Sequence, residues 1–186
     1  MLYRTEFLRS TVLSIWYMMG VALLRFPGRT VDDVVEFLRP VDLEQAEMLL
    51  DPGADHELKW KLDAETLCEV RRKRMHVYLE LVRRMAHNAL VLVELGNREA
   101  DRRTGREAEV IAVLQHEAVK VRMYSLLTIL RLRVLLAVRP MQAPSLTKFR
   151  MVMDVDGISS YKELREASTA VFEEFKRPVD KLILSF

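Results

Sequence analysis

The sequence predicts an all-α protein, a helical bundle built on one long antiparallel helical hairpin. Half of its 186 residues are hydrophobic and 30% are charged, and only 6 glycines and 6 prolines interrupt them. This balance is typical of amphipathic helices, which place apolar and charged side chains on opposite faces. Two stretches, about 64–95 and 105–139, contain no proline. They predict two helices, each roughly 50 Å long at about 1.5 Å per residue.

Capping residues mark the ends of the two long helices. Asp63 is an N-cap for the first helix, and Gly96-Asn97 is a C-terminal stop. Thr104 and Glu107 form a capping box that opens the second helix. Because only a short charged loop, residues 97–103, connects the helices, we expect them to pack antiparallel.

Shorter elements are expected on both sides of the hairpin. Their predicted bounds are 2–26, 31–39 and 43–50 before the hairpin, and about 160–176 after it. The Asp-Pro-Gly stretch at 51–53 predicts a turn, and the proline-containing stretch at 140–146 predicts a linker. Residues 148–155 and 179–186 stay open between helix, strand and coil. We expect residues 1–139 to form the bundle domain, with residues 140–186 packed on it.

Neither of the two most apolar stretches is expected to cross a membrane. Residues 11–24 are too short, since a spanning helix needs about 18–20 residues. Residues 123–138 contain Arg131 and Arg133, each of which costs about 2.5–3.5 kcal/mol near the bilayer centre. The single cysteine, Cys68, excludes an internal disulfide. We expect a cytoplasmic protein.

Charge is segregated along the chain. Residues 42–69 carry nine acids and two bases, residues 71–84 six bases and one acid, and residues 122–150 six bases and no acid. In the simpler interpretation these blocks neutralise one another, with Glu65 and Glu69 beside arginines of the second long helix. In the alternative, the bases form a surface for nucleic acid. The candidate residues are Arg71, Arg72, Lys73, Arg74, Arg83, Arg84, Arg131 and Arg133. A net charge of only +2 favours the simpler interpretation.

A row of histidine and glutamate side chains is the candidate metal or acid–base site. His76 and Glu80 are four residues apart on the first long helix, and His87 lies about three turns after His76. Antiparallel pairing is expected to bring His116 near position 85. Di-metal helical bundles require a Glu-x-x-His spacing that neither long helix contains. A solvated helix face is therefore the simpler interpretation, and we expect no bound cofactor.

A second candidate metal site resembles a calcium loop in spacing alone. Asp154, Asp156, Gly157 and Glu163 fit positions of an EF-hand loop, but Val152 stands where the first carboxylate is needed. We expect an Asp-Gly turn that leads into a helix capped by Ser160 instead.

These patterns predict an interaction or scaffold protein without enzymatic activity. Its apolar stripes exceed what one chain is expected to cover, which favours a homodimer or a protein partner. Two alternatives stay open: a nucleic-acid-associated protein that uses the basic residues, and a helical enzyme or metal protein that uses the histidine cluster.

Overall fold

The computed structural model describes residues 34, 37–138 and 156–183 of the chain. Within these ranges there are five α-helices and no strand. The helices are α1 (Leu43–Leu49), α2 (Pro52–Lys61), α3 (Ala64–Ala100), α4 (Arg106–Val138) and α5 (Asp156–Ile183). Helices α3 and α4 pack along each other as a hairpin, so the predicted all-α fold is confirmed. The predicted helix at 2–26, the linker at 140–146 and the segment 148–155 lie outside the described residues.

Two rows of buried side chains hold the hairpin together, and in each row the spacing alternates between three and four residues. The row in α3 is Met75, Tyr78, Val82, Met85, Ala89, Leu92, Gly96 and Glu99. The row in α4, which we call the inner row, is Ile111, Leu114, Ala118, Val121, Ser125, Thr128 and Leu132. An average spacing of 3.5 residues is that of a coiled-coil seam. The hairpin therefore follows from the periodicity of its apolar side chains.

Helix α3 does not stop at Gly96-Asn97, as the sequence predicted, but continues to Ala100. Gly96 is buried against α4, where a Cβ atom on this residue would overlap Cγ of Gln115. The Nε2 group of Gln115 also donates to Oδ1 of Asn97 at 2.9 Å. Gly96 thus allows a close approach of two helices rather than ending one of them.

The connection between the two long helices is shorter than predicted and is held by ion pairs. It spans residues 101–105, and Gly105 at its end has a φ of 67°. Buried Glu99 accepts from Nε of Arg103 at 3.1 Å, and Nη1 of Arg103 donates to Glu107 at 3.0 Å. These bonds, that to Glu107 foremost, raise the pKa of Arg103. Glu107, predicted to form a capping box with Thr104, binds Arg103 in this structure.

The two short helices differ in part from the prediction. The N-cap of α1 is confirmed, because Oδ1 of Asp42 accepts from the backbone N–H of Gln45 at 2.9 Å. The turn predicted at Asp-Pro-Gly is wrong, because these residues begin α2. Asp51 accepts from the N–H of Gly53 at 3.0 Å, and Pro52 occupies the first helical position. Aspartate and proline favour this position as much as they favour a turn.

A buried asparagine connects α3 with the segment before α1 and with α5. The side chain of Asn88 accepts from the N–H of Arg39 and donates to its carbonyl, both at 2.8 Å. Its Nδ2 also donates to the hydroxyl of Tyr161 at 2.7 Å. Of the helix predicted over 31–39, the described residues Leu38 and Arg39 are not helical, and the backbone of Arg39 bonds to Asn88 instead.

Helix α5 starts earlier and ends later than predicted. Asp156 and Gly157 are its first residues, so a helix replaces both the expected Asp-Gly turn and the calcium loop. Pro178 removes one backbone hydrogen bond without ending the helix. Glu163 lies 2.7 Å from Nζ of Lys120, and Glu174 lies 3.9 Å from Arg106. These two pairs make α5 antiparallel to α4.

The contact at Gly96 gives a test of the hairpin. We expect Gly96→Leu to destabilise the protein by about 1–3 kcal/mol, because the added side chain overpacks the helix contact. In a Gln115→Ala background the space is open, and Gly96→Ala is expected to stabilise by up to about 1 kcal/mol through helix propensity. Urea unfolding of the single and double variants measures both effects. Equal effects of Gly96→Ala with and without Gln115 would contradict the close approach.

Candidate interaction surface

Helix α4 carries a second apolar row on the side that faces away from its inner row. Met123, Leu127, Leu130 and Val134 each follow an inner-row residue by two positions, which is about 200° around the helix axis. Together with Val119 they form what we call the outer stripe. The stripe is therefore set by the same periodicity as the buried seam.

The outer stripe is largely open to solvent. Met123 is 57% exposed and Leu127 is 45% exposed, Val119 and Val134 are similar, and Leu130 is half-buried. The stripe extends over about 22 Å at 1.5 Å per residue. A helix that is apolar on two opposite faces has two packing surfaces. Within the described part of the chain, only the inner one is filled.

The surface around the outer stripe is basic. Between Ala118 and Val138, α4 contains four bases and no acid. The bases are Lys120, Arg122, Arg131 and Arg133. Lys120 also contacts Glu117 at 3.3 Å and Glu163 at 2.7 Å. Burial lowers the pKa of Arg122, which is half-buried.

Helices α1 and α2 present a surface of the opposite charge, which we call the α1–α2 surface. Its exposed acids are Asp42, Glu44, Glu47, Asp51 and Glu57. Glu47 lies 2.6 Å from Lys162 and Glu57 lies 3.5 Å from Lys61, so these two are paired. Two apolar side chains stand out on the same helices, Met48 at 69% exposed and Trp60 at 80% exposed. The indole N–H of Trp60 donates to Nε2 of His56 at 3.1 Å, and the two rings meet edge to face. This contact fixes the orientation of an exposed indole.

The structure places the first residue of the predicted basic cluster in the interior. Arg71 makes a two-pronged ion pair with Asp55, with Nε to Oδ1 at 2.8 Å and Nη2 to Oδ2 at 2.7 Å. The two side chains are only 14% and 8% exposed. Arg74 is half-buried, and its Nη2 donates to the carbonyl of Met48 at 3.3 Å. Both arginines thus attach the short helices to α3.

Most of the other predicted basic residues of α3 pair locally. Arg83 and Arg84 lie 3.6 Å and 3.5 Å from Glu80, and Lys73 lies 2.7 Å from Glu69. The simpler interpretation expected Glu69 to lie beside an arginine of the second long helix. In the structure it pairs with Lys73 of its own helix instead. Side chains three or four residues apart on a helix lie next to each other, so such ion pairs form without a partner on another helix. Arg72 is exposed.

The structure does not bring the predicted histidine cluster together, and its members lie in different environments. His76 and His116 are exposed, Glu80 binds arginines, and Nε2 of His87 lies 3.2 Å from the carbonyl of Phe37. His116 follows Gln115, so it lies nearer Gly96 than the position 85 that the sequence predicted. Among the described residues, no three histidine, cysteine, aspartate or glutamate side chains are grouped to hold a metal ion.

The sequence analysis did not identify the residues of the outer stripe, although their regular spacing is present in the sequence. The spacing of Val119, Met123, Leu127, Leu130 and Val134 is four, four, three and four. From Met123 onward the pattern repeats the inner row two positions later, so α4 reads as a helix that is apolar all round. Only the packing of α4 separates a buried row from an exposed one.

No helix in the described ranges has both the length and the apolar character needed to cross a membrane. The chain matches no protein-family model, no curated protein and no solved structure. Its function is therefore inferred from geometry and charge.

The buried ion pair between Asp55 and Arg71 gives a prediction about stability. We expect Asp55→Ala to destabilise the protein by about 3–5 kcal/mol, because Arg71 stays buried without its carboxylate. Lys73→Ala is the matched control, since it breaks an exposed pair and is expected to cost less than about 1 kcal/mol. Urea unfolding measures both values. Equal costs for the two variants would show that Arg71 is not held as described.

Proposed function

We propose that this protein is a helical interaction module without enzymatic activity, and that it self-associates through the outer stripe of α4. The observation that carries the proposal is the exposure of a regular apolar row directly opposite a buried one. Single exposed apolar residues are ordinary on protein surfaces, whereas contiguous apolar patches mark interaction sites. A row with helical periodicity suits a helix or a helical surface as its partner.

The driving force for this association is the removal of apolar surface from water. Each Å² buried contributes about 25 cal/mol, before the cost of association is subtracted. Met123 sits near the middle of the stripe, and its flexible thioether adapts to different partner shapes. The steps of four, four, three and four residues keep the stripe on one face of α4, so it can pack against a partner helix.

Charge complementarity favours a second copy of this chain as the partner. Four bases lie on α4 near the outer stripe, of which Lys120 is paired with Glu117 and Glu163, while Glu44 and Asp51 are exposed on the α1–α2 surface. Opposite surface potentials attract two copies and orient their encounter. The proposal includes a cytoplasmic location, where the single thiol of Cys68 stays reduced.

The mass of the protein in solution tests the proposal. Sedimentation over a range of concentrations is expected to give more than one chain per particle for the unaltered protein. Met123→Glu and Leu127→Glu are each expected to weaken association at least tenfold, because they place a carboxylate in an apolar contact. Val77→Glu is the matched control: Val77 is 42% exposed on α3, so its replacement is expected to leave association unchanged.

Two results would overturn the proposal. One is an unaltered protein that stays monomeric at every concentration. Protection of Met123 from oxidation in that monomer would show that another segment of the same chain covers the stripe. The other is association that disappears after nuclease treatment, which would make nucleic acid the bridging partner.

A further inference from the structure

We infer that the exposed face of α4 pairs with the same face of a second copy, antiparallel and about a two-fold axis that passes beside Met123. The inference rests on the proposed function and names the surface that the outer stripe meets on the second copy. Three observations carry it: the length of the apolar face, the sizes of its side chains and the positions of the bases beside it.

The exposed face of α4 continues beyond the outer stripe towards the start of the helix. Ala112 and His116 are exposed, and at about 100° per residue they lie within about 40° of Met123 around the helix axis, as the whole outer stripe does. From Ala112 to Val134 the face is about 33 Å long at 1.5 Å per residue. Met123 is its midpoint, because the two ends lie at equal distances from it in the sequence.

Among the described residues, only this face offers an apolar row long enough to cover a second one like it. Eight large apolar side chains are exposed in the described part of the chain, and five of them belong to α4. The other three, Met48, Trp60 and Val77, lie one each on α1, α2 and α3. The same face of a second copy is therefore the occupant that buries the whole row, and a self-complementary contact of this kind makes a two-fold dimer.

The side chains of the face become larger from its first half to its second. Ala112 and Val119 precede Met123, and Val134 and Leu127 follow it at the matching distances. In an antiparallel pair each smaller side chain meets a larger one, so the two helix axes stay equally far apart along the contact. A parallel pair would set Ala112 against Ala112 and Leu127 against Leu127, which opens a gap at one end. The sizes thus favour the antiparallel arrangement.

The register about Met123 brings no two charged side chains of α4 together. The four bases lie about 60–100° to the sides of the face. The residues opposite Lys120, Arg122, Arg131 and Arg133 in the second copy are uncharged: Leu126, Tyr124, Gln115 and Val113. Lys120 therefore keeps its own pairs with Glu117 and Glu163. A register centred on Leu127 would instead set Arg131 opposite Met123 and leave Ala112 with no opposite residue in α4.

The size of the contact predicts how the dimer behaves. A face about 33 Å long and one helix wide lies at the small end of protein interfaces, where association is weak and reversible. A contact between two identical faces uses both of them, so it closes at two chains and does not grow further. We therefore expect a dimer that dissociates on dilution, and no larger particle.

Cysteine substitutions test the register. In a Cys68→Ser background, Val119→Cys and Leu127→Cys are made as separate variants and then mixed. Val119 of one copy lies opposite Leu127 of the other, so oxidation of the mixture is expected to link unlike chains. Each variant alone is expected to stay unlinked, because its two thiols lie about 12 Å apart along the axis and a disulfide needs Cα atoms within about 7 Å.

Mass spectrometry of the linked product shows which chains are joined. Val77→Cys is the matched control, since Val77 is exposed on α3 and is expected to stay unlinked in every mixture. Efficient linkage of Val119→Cys to itself would show a parallel pair and would overturn the arrangement. Circular dichroism and thermal unfolding of each variant check that the fold is retained.

His116 gives a test in which association becomes stronger. It is exposed and lies opposite Leu130 of the second copy in this register. Its imidazole is a polar group in an otherwise apolar contact, so His116→Leu is expected to tighten the dimer at least about fivefold. His76→Leu is the matched control, because His76 is exposed on α3 outside the contact. Sedimentation distinguishes a tighter dimer from aggregation, which would exceed two chains.

Failure of this inference is distinguishable from failure of the proposed function. Suppose that Met123→Glu weakens association, while the mixed cysteine variants stay unlinked and His116→Leu has no effect. The outer stripe then docks on a different surface, so the pairing of two α4 helices is overturned and the proposed function stands. If the unaltered protein is itself monomeric at every concentration, the proposed function fails first.

Discussion

The structure depends on one constraint, the match between the α3 row and the inner row of α4. Both rows alternate three- and four-residue steps, so their side chains stay in contact along the hairpin instead of drifting around the helix axes. Gly96 brings the two backbones close beside Gln115, and Glu99 fixes the end of the hairpin through Arg103. The short helices and α5 attach to this pair: Arg71 holds α2 through Asp55, and Lys120 meets Glu163.

The sequence predicted the elements that depend on their own residues. The all-α class, the long hairpin and the N-caps at Asp42 and Asp63 follow from composition, periodicity and local hydrogen bonding. The failures occur where a distant neighbour decides. Gly96 reads as a helix end until Gln115 is known to lie against it. Residues 38–39 read as helical until Asn88 is seen to bind the backbone of Arg39.

The candidate sites show the same division. A basic run such as residues 71–74 looks uniform in sequence, yet its members face different surroundings on the helix. Arg71 points at buried Asp55, while Lys73 pairs with Glu69 in solvent. Charge counts along a chain therefore measure how much charge is present, and helix packing decides which of it remains on the surface. Likewise Lys120, beside the outer stripe, is paired with Glu117 and with Glu163 of α5.

The outer stripe exists because α4 is apolar on both sides while its neighbours cover mainly one. An apolar helix of this kind is consistent with a membrane span, a buried central helix or a two-sided contact surface. Arg131 and Arg133 oppose the first. The second is opposed by exposure, since Met123, Leu127 and Val134 are 57%, 45% and 43% exposed. Val134 and its neighbours thus keep an apolar face in solvent, and this exposure is the observation on which the proposed self-association rests.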